Sequence, residues 1–90
     1  MREILSSLIN DTSRQMKLLE VAIRDQDATR CMHLAHYSKG ACANLGANVA
    51  ADLFREIERR AASHDFRECG EALTRLSEEV EALRSEAFTL

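Results

Sequence analysis

Leu34-Ala35-His36-Tyr37-Ser38-Lys39-Gly40-Ala41-Cys42-Ala43-Asn44-Leu45-Gly46-Ala47 is the stretch from which the architecture is read. Ala35, Ser38, Cys42 and Leu45 recur at spacings of three and four, the mark of one buried stripe on a helix, and Ala28 and Cys31 extend it backwards. These side chains are unusually small, so neighbouring helices can approach closely. With the stripe turned inward, His36 points outward. At one residue per 3.6th of a turn, Lys39 and Gly40 fall about 60° and about 40° from His36 around the axis, so all three share one face. An exposed imidazole with a cation one turn away and a missing side chain beside it is a docking site for an anionic group. Gly40 inside a helix costs about 1 kcal/mol relative to Ala and calls for a reason, such as close approach by another backbone or a bulky ligand. Gly46 instead suits a helix end, since glycine accepts positive φ without steric cost.

Working outward, the segment from Arg2 to about Arg24 carries Leu5, Leu8, Ile9, Thr12, Met16, Leu19 and Ile23 on one stripe, with polar residues opposite. Asp25-Gln26-Asp27 breaks the pattern, and Asp27 is placed to cap the helix that begins at Ala28. A third segment, from about Ala47 to Ala62, turns Val49 or Ala50, Leu53, Ile57 and Ala61 inward and Arg55, Glu56, Arg59 and Arg60 toward water. After the turn Ser63-His64-Asp65, a fourth runs from Phe66 to about Ala87. Its stripe is Phe66, Cys69, Leu73, Leu76, Val80 and Leu83, with Glu78, Glu79, Glu81 and Arg84 on the outer side. Gly70 interrupts this helix without an evident reason. Four amphipathic segments joined by short turns pack most simply as an all-α, antiparallel up-down four-helix bundle, a single domain spanning residues 1–90.

Composition agrees and excludes alternatives. Ninety residues hold one core. With 3 Gly, no Pro and 4% aromatics, the chain lacks the turn and aromatic residues of a β-sandwich. A net charge of −3 supplies no basic excess for tracking a phosphate backbone, so no nucleic-acid partner is expected. No apolar run approaches the ~20 residues needed to span a bilayer, and the N-terminus lacks an export signal. Cys31, Cys42 and Cys69, odd in number and widely spaced, read as free thiols in a reducing compartment, which places the chain in the cytoplasm.

The stretch around His36 resembles the signature of the histidine phosphotransfer (HPt) domain family, the four-helix phosphocarriers of two-component phosphorelays. The family pattern is roughly Ala-His-x-Leu-Lys-Gly-Ser-Ser-x-x-Leu-Gly-Ala, and Ala35, His36, Lys39, Gly40, Leu45, Gly46 and Ala47 match it. Downstream, Leu53, Ile57 and Glu58 fit the following helix, and the resemblance extends over nearly the whole chain. Two departures concern packing. Ser38 stands where the family usually has Leu, with its hydroxyl expected to bond the carbonyl one turn back and Tyr37 to supply apolar cover; Ala41-Cys42 stands where Ser-Ser is common. The family often carries a short extra helix ahead of the bundle, so this chain reads as a minimal version or as a piece of a longer hybrid kinase.

The resemblance implies that His36 accepts a phosphoryl group from the aspartyl phosphate of a receiver domain and passes it to another receiver's Asp. An exposed imidazole, with an ordinary pKa of about 6.5, is mostly neutral near pH 7 and needs no catalytic base. In-line positioning and charge neutralisation carry such transfers, and the receiver's Mg²⁺ and Lys supply most of both, so the chain needs no cofactor and is no enzyme itself. Lys39 would orient the phosphoryl group, Gly40 would give the partner access, and Glu58 would hold the other imidazole nitrogen. The implied partners are response-regulator receivers and a sensor histidine kinase, met by a monomer.

Blander readings apply elsewhere. His33 lies one turn before His36, but this pair with Cys31 nearby lacks further ligands for a metal site, and His33 reads as a rim residue of the docking face. His64 reads as plain surface, Asn44 as a helix-end residue and Tyr37 as rim packing. The rival function is a bundle that docks partners or self-associates without phosphorylation. A dimerising kinase bundle is disfavoured, because Tyr37 follows His36 where such kinases carry an acidic residue.

Overall fold

The computed structural model describes the backbone of residues 2–89 and the side chains of Glu3 and of residues 6–86. Four helices follow one another, α1 (Arg2–Arg24), α2 (Ala28–Asn44), α3 (Asn48–Ala62) and α4 (Phe66–Thr89), with no strand among the described residues. Each helix packs on two neighbours, α1 on α2 and α4, and α3 on α2 and α4. This is the ring of an antiparallel up-down bundle, as the amphipathic spacing required.

One piece of backbone chemistry explains all three short connections. The chain leaves α1, α2 and α3 through Gln26 (φ 55°), Gly46 (φ 77°) and His64 (φ 59°), each in the left-handed region. The following N–H then reaches back five residues: Asp27 to the Ala22 carbonyl at 2.9 Å, Ala47 to Cys42 at 2.9 Å and Asp65 to Arg60 at 2.8 Å. These Schellman-type closures satisfy carbonyls that a helix end otherwise leaves free. Asp27 and Asp65 also start the next helix, their carboxylates accepting from the N–H of Arg30 and of Glu68, each at 3.2 Å. Ala47, at the equivalent place before α3, has no side chain to offer. Asp27 and Gly46 announce these turns in the sequence. Gln26 and His64 do not, because they take a conformation that costs a non-glycine residue about 1 kcal/mol.

The core is assembled from large side chains on three helices and small ones on α2. Leu19, Phe54, Ile57 and Leu76 are fully buried, and they meet Cys31, Ala35 and Cys42. The stripe on α1 holds at Leu8, Ile9, Thr12 and Leu19, with Met16 and Ile23 half-buried; the expected contribution of Leu5 lies outside the described residues, as does the side chain of Ala87. In α4, Cys69, Leu76 and Val80 are buried, joined by Ala72, while Phe66, Leu73 and Leu83 pack partly against them.

Four expectations are corrected. Leu45 is 50% exposed, because α2 ends at Asn44 and Leu45, its C-cap at φ −102°, has left the helical stripe. On α3 the buried positions are Ala50, Ala51, Phe54, Ile57 and Ala61; Phe54 is 0% exposed, Leu53 is only half-buried and Val49 is exposed. Ser38 is 2% exposed but its hydroxyl has no hydrogen-bond partner among the described residues, and Tyr37 lies too far out to cover it. A buried unpaired hydroxyl of this kind costs about 1–3 kcal/mol. Finally, Glu56, Arg60 and Arg84 are half-buried rather than fully solvated. Glu56 accepts from Arg60 Nε at 2.8 Å, and Arg84 Nη2 donates to Ser13 Oγ at 3.0 Å, tying α4 to α1.

Candidate functional site

His36 sits in the middle of α2, away from both fraying ends, on the side opposite Ser38. Its side chain is 70% exposed. The core face of α2 is held by Cys31, Ala35, Ser38 and Cys42, all buried, so the helix cannot rotate to hide the imidazole without exposing them. A rigid element thus presents an accessible ring.

The ring is also oriented. His36 Nδ1 lies 3.0 Å from Glu58 Oε2, and Lys39 Nζ donates to Glu58 Oε1 at 2.8 Å. One carboxylate from α3 therefore holds two α2 side chains, bridging 22 and 19 residues of sequence. Burial works to raise the Glu58 pKa, but the hydrogen bonds from Lys39 and His36 outweigh it and hold the carboxyl below the usual range. At neutral pH Glu58 is ionised and can only accept, so the hydrogen between it and Nδ1 belongs to the imidazole. In the neutral ring the Nε2 lone pair is then free, on a side chain that is mostly exposed, the arrangement a histidine nucleophile needs.

Of the four residues singled out in the sequence, three meet through direct hydrogen bonds, and Gly40 lies one turn along α2 from His36. Lys39 is half-buried against Glu58 instead of standing free beside the imidazole. Nothing lies within 4 Å of where a Cβ on Gly40 would project, and the residue is exposed. The fold therefore does not demand glycine there. The same holds at Gly70 on α4, where no atom would meet the added Cβ. Gly40→Ala and Gly70→Ala are each expected to raise stability by about 1 kcal/mol in urea titration, since Ala is the better helix former. A destabilised variant of either would show that the glycine is required by the fold.

Around the ring, His33 is exposed whereas Cys31 is fully buried. Cys31, Cys42 and Cys69 are free thiols inside the core; burial raises all three pKa values, with Cys69 pushed up to about 11. Such thiols are poor nucleophiles. His64 stacks edge-on against Phe66 at the α3–α4 turn, ring centroids 5.8 Å apart. On the α1 side of His36, Tyr37 and Leu45 are large exposed side chains along an open groove shared with Leu8, Asp11 and Arg14, and Tyr37 Oη reaches Asp11 at 3.5 Å. By sequence Tyr37 reads as rim packing and Leu45 as part of the buried stripe; Leu45 borders this groove because α2 ends before it.

The Glu58 shift carries a consequence for stability. Glu56, hydrogen-bonded by Arg60, is likewise held below the usual range. A carboxylate depressed in the folded state contributes stability above its unfolded pKa, about 4.3 for Glu, and loses it as pH falls through the lower folded value. The urea midpoint is expected to stay level from pH 7 to about 5 and then fall below about pH 4.5, with Glu58→Gln removing part of that fall. An unchanged acid limb in Glu58→Gln would contradict the assignment.

The comparisons with known proteins concern this same bundle. Residues 3–86 match the family model of the Hpt domain, and the chain belongs to that family. It is a family of non-catalytic phosphocarriers that work with receiver domains and histidine kinases in phosphorelay signalling. The fold is similar to the crystal structure of histidine-containing phosphotransfer protein B from Pseudomonas aeruginosa PAO1, with a TM-score of 0.91 and 23% identity over 98% of this chain and 76% of that one. No curated protein matches the sequence. Among the described residues, no helix is long and apolar enough to cross a membrane.

Proposed function

We propose that His36 is the phospho-acceptor of this Hpt domain, taking a phosphoryl group from the aspartyl phosphate of a receiver domain onto Nε2 and returning it to the Asp of another. The observation that carries this is the Glu58 hydrogen bond to Nδ1 of an imidazole whose side chain is 70% exposed. The Nε2 lone pair attacks phosphorus, the bond to the receiver's carboxylate oxygen breaks with its electron pair, and the positive charge developing on the ring is met by Glu58. Gly40 leaves the space beside the ring open to the receiver's loops. Tyr37 and Leu45 form the apolar apron on which the receiver settles, a modest transient interface.

Mg²⁺ belongs to this picture on the receiver, where it neutralises phosphoryl oxygens during transfer. The kinase supplies ATP chemistry, and this chain adds no nucleotide site of its own, whether it works free or joined to a hybrid kinase. It acts as a monomer in the cytoplasm. Incubation with a purified receiver charged with labelled acetyl phosphate is the test. Label moving onto the chain in an acid-labile, base-stable bond supports the proposal. A chain that stays unlabelled while the receiver discharges by itself overturns it.

A further inference from the structure

Gly70 stands inside α4 although the fold does not require it there, since a Cβ added to it would meet nothing within 4 Å. A glycine in a helix interior is unfavourable unless something must come close to its backbone. Around it runs a groove between α1 and α4. Two hollows of about 440 Å³ and 350 Å³ lie along this groove and share Glu20, Leu73 and Ser77. The first is lined by Gly70 with the half-buried Ile23 and Leu73, and by the exposed Glu20 on α1 and Glu78 on α4. We propose that this groove docks an amphipathic helix of a second protein, one that carries Lys or Arg on both flanks of its apolar stripe.

The shape suits a helix. Two packed helices leave a furrow into which a third can lay its side chains, and from Gly70 to Arg84 this one extends for roughly 20 Å, about four helical turns. Gly70, Thr74 and Ser77 are small, and their spacing of four and three puts them on one side of α4. The Thr74 hydroxyl is engaged by its own helix, donating to the Gly70 carbonyl at 3.1 Å. An incoming backbone therefore comes closest at Gly70, with its apolar side chains seated on Ile23 and Leu73.

Charge selects the partner. Neither the Glu20 nor the Glu78 carboxylate has a hydrogen-bond or ion-pair partner among the described residues, and no cation lines the Gly70 hollow. In the adjoining hollow Arg84 is held by Glu81 at 3.3 Å and by Ser13, while Lys17 stands one turn before Glu20. Two unpaired carboxylates, one from each helix beside an apolar contact, are matched by cations on both flanks of the occupant. A second copy of this chain, with its net charge of −3, is the poorer match. The groove lies across the bundle from α2 and α3, which carry His36 and Glu58, so it can be filled while a receiver is docked, and it does not depend on the phospho-acceptor assignment.

The test is an NMR titration of the ¹⁵N-labelled chain with two synthetic peptides, stapled as helices so that ordering does not mask binding. Both carry the same Leu and Ala stripe, flanked by Lys in one and by Glu in the other. The Lys peptide is expected to shift the amides of Ile23, Gly70, Thr74 and Ser77 saturably, and the Glu peptide to bind at least about tenfold more weakly. Gly70→Gln keeps a good helix former in α4 and should weaken the Lys peptide about tenfold or more. Glu20→Lys with Glu78→Lys should reverse the preference between the peptides. Labelling of His36 by a charged receiver should be the same in every variant. The proposal is overturned if the two peptides bind alike, if the shifts fall on Tyr37 and Leu45 instead, or if neither set of substitutions alters binding. Groove amides that shift with protein concentration alone would make a second copy the occupant and overturn it too, as would loss of labelling in Gly70→Gln. If no receiver labels the wild type while the titration behaves as stated, the phospho-acceptor assignment falls and this proposal stands.

Discussion

His36→Gln is expected to take up no label from a charged receiver, while His33→Gln and His64→Gln label as wild type does. Gln is nearly the length of His, and its amide N–H can still donate to Glu58, so α2 and α3 remain joined and the bundle stays folded. What disappears is the nucleophile. The amide nitrogen's lone pair is delocalised into the carbonyl, whereas Nε2 of a neutral imidazole holds its pair in the ring plane, directed away from Nδ1. His33 shares the exposed side of α2 but has no carboxylate partner among the described residues, and His64 sits in a turn against Phe66. Acid-labile label retained by His36→Gln would place the acceptor elsewhere. Labelling lost equally in His33→Gln would show that the docking face, and not the nucleophile alone, had been damaged. If His36→Gln left partner binding and signalling output both intact, the chain would be a docking module and the phosphocarrier assignment would fail.

Phe54→Ala is expected to remove about 3–5 kcal/mol of stability, a large part of the about 5–15 kcal/mol typical of a domain. Among the described residues Phe54 is the largest fully buried side chain, and the core around it includes many side chains that are already small: α2 offers Cys31, Ala35 and Cys42, and α4 offers Cys69 and Ala72. Small neighbours cannot swing in to fill the space, so the cavity term should be near its upper range. Urea unfolding followed by circular dichroism measures the loss, and a preserved slope with a lower midpoint identifies it as a change in stability. Leu53→Ala, half-buried, should lose clearly less. An equal or greater loss at Leu53 would mean that α3 is rotated relative to the description above. Because Glu58 lies one turn beyond Phe54, the same rotation would carry the carboxylate away from His36.

Much of this molecule is legible along the chain. The three turns were found because Asp25-Gln26-Asp27, Gly46 and Ser63-His64-Asp65 interrupt continuous helical spacing, and turn chemistry is decided within a few residues. His36 was legible for a related reason: Ala35, Ser38 and Cys42 define the inward face of α2, and whatever stands between them must face out. Leu53 and Phe54 were harder to separate. Both are large and apolar, they are adjacent, and Leu53 completes a spacing with Val49 or Ala50 as well as Phe54 does. Ser38 misled in another way. A buried serine was expected to bond its own helix, but the structure leaves its hydroxyl unpaired.

Lys39 marks the boundary most clearly. On α2 alone it is a cation one turn from His36, free to reach a phosphoryl group, and periodicity has no more to say about it. Its engagement with Glu58 depends on where α3 lies along and around α2, across a separation of 19 residues. Helix spacing, caps and the outward face of His36 arise from interactions within one or two turns, so sequence alone determines them. The choice of Phe54 for the core and the sharing of one carboxylate between Lys39 and His36 follow from the rotation and offset of α3 against α2. Those are set by how the small side chains of α2 fit the large ones opposite, and only the packed bundle decides that.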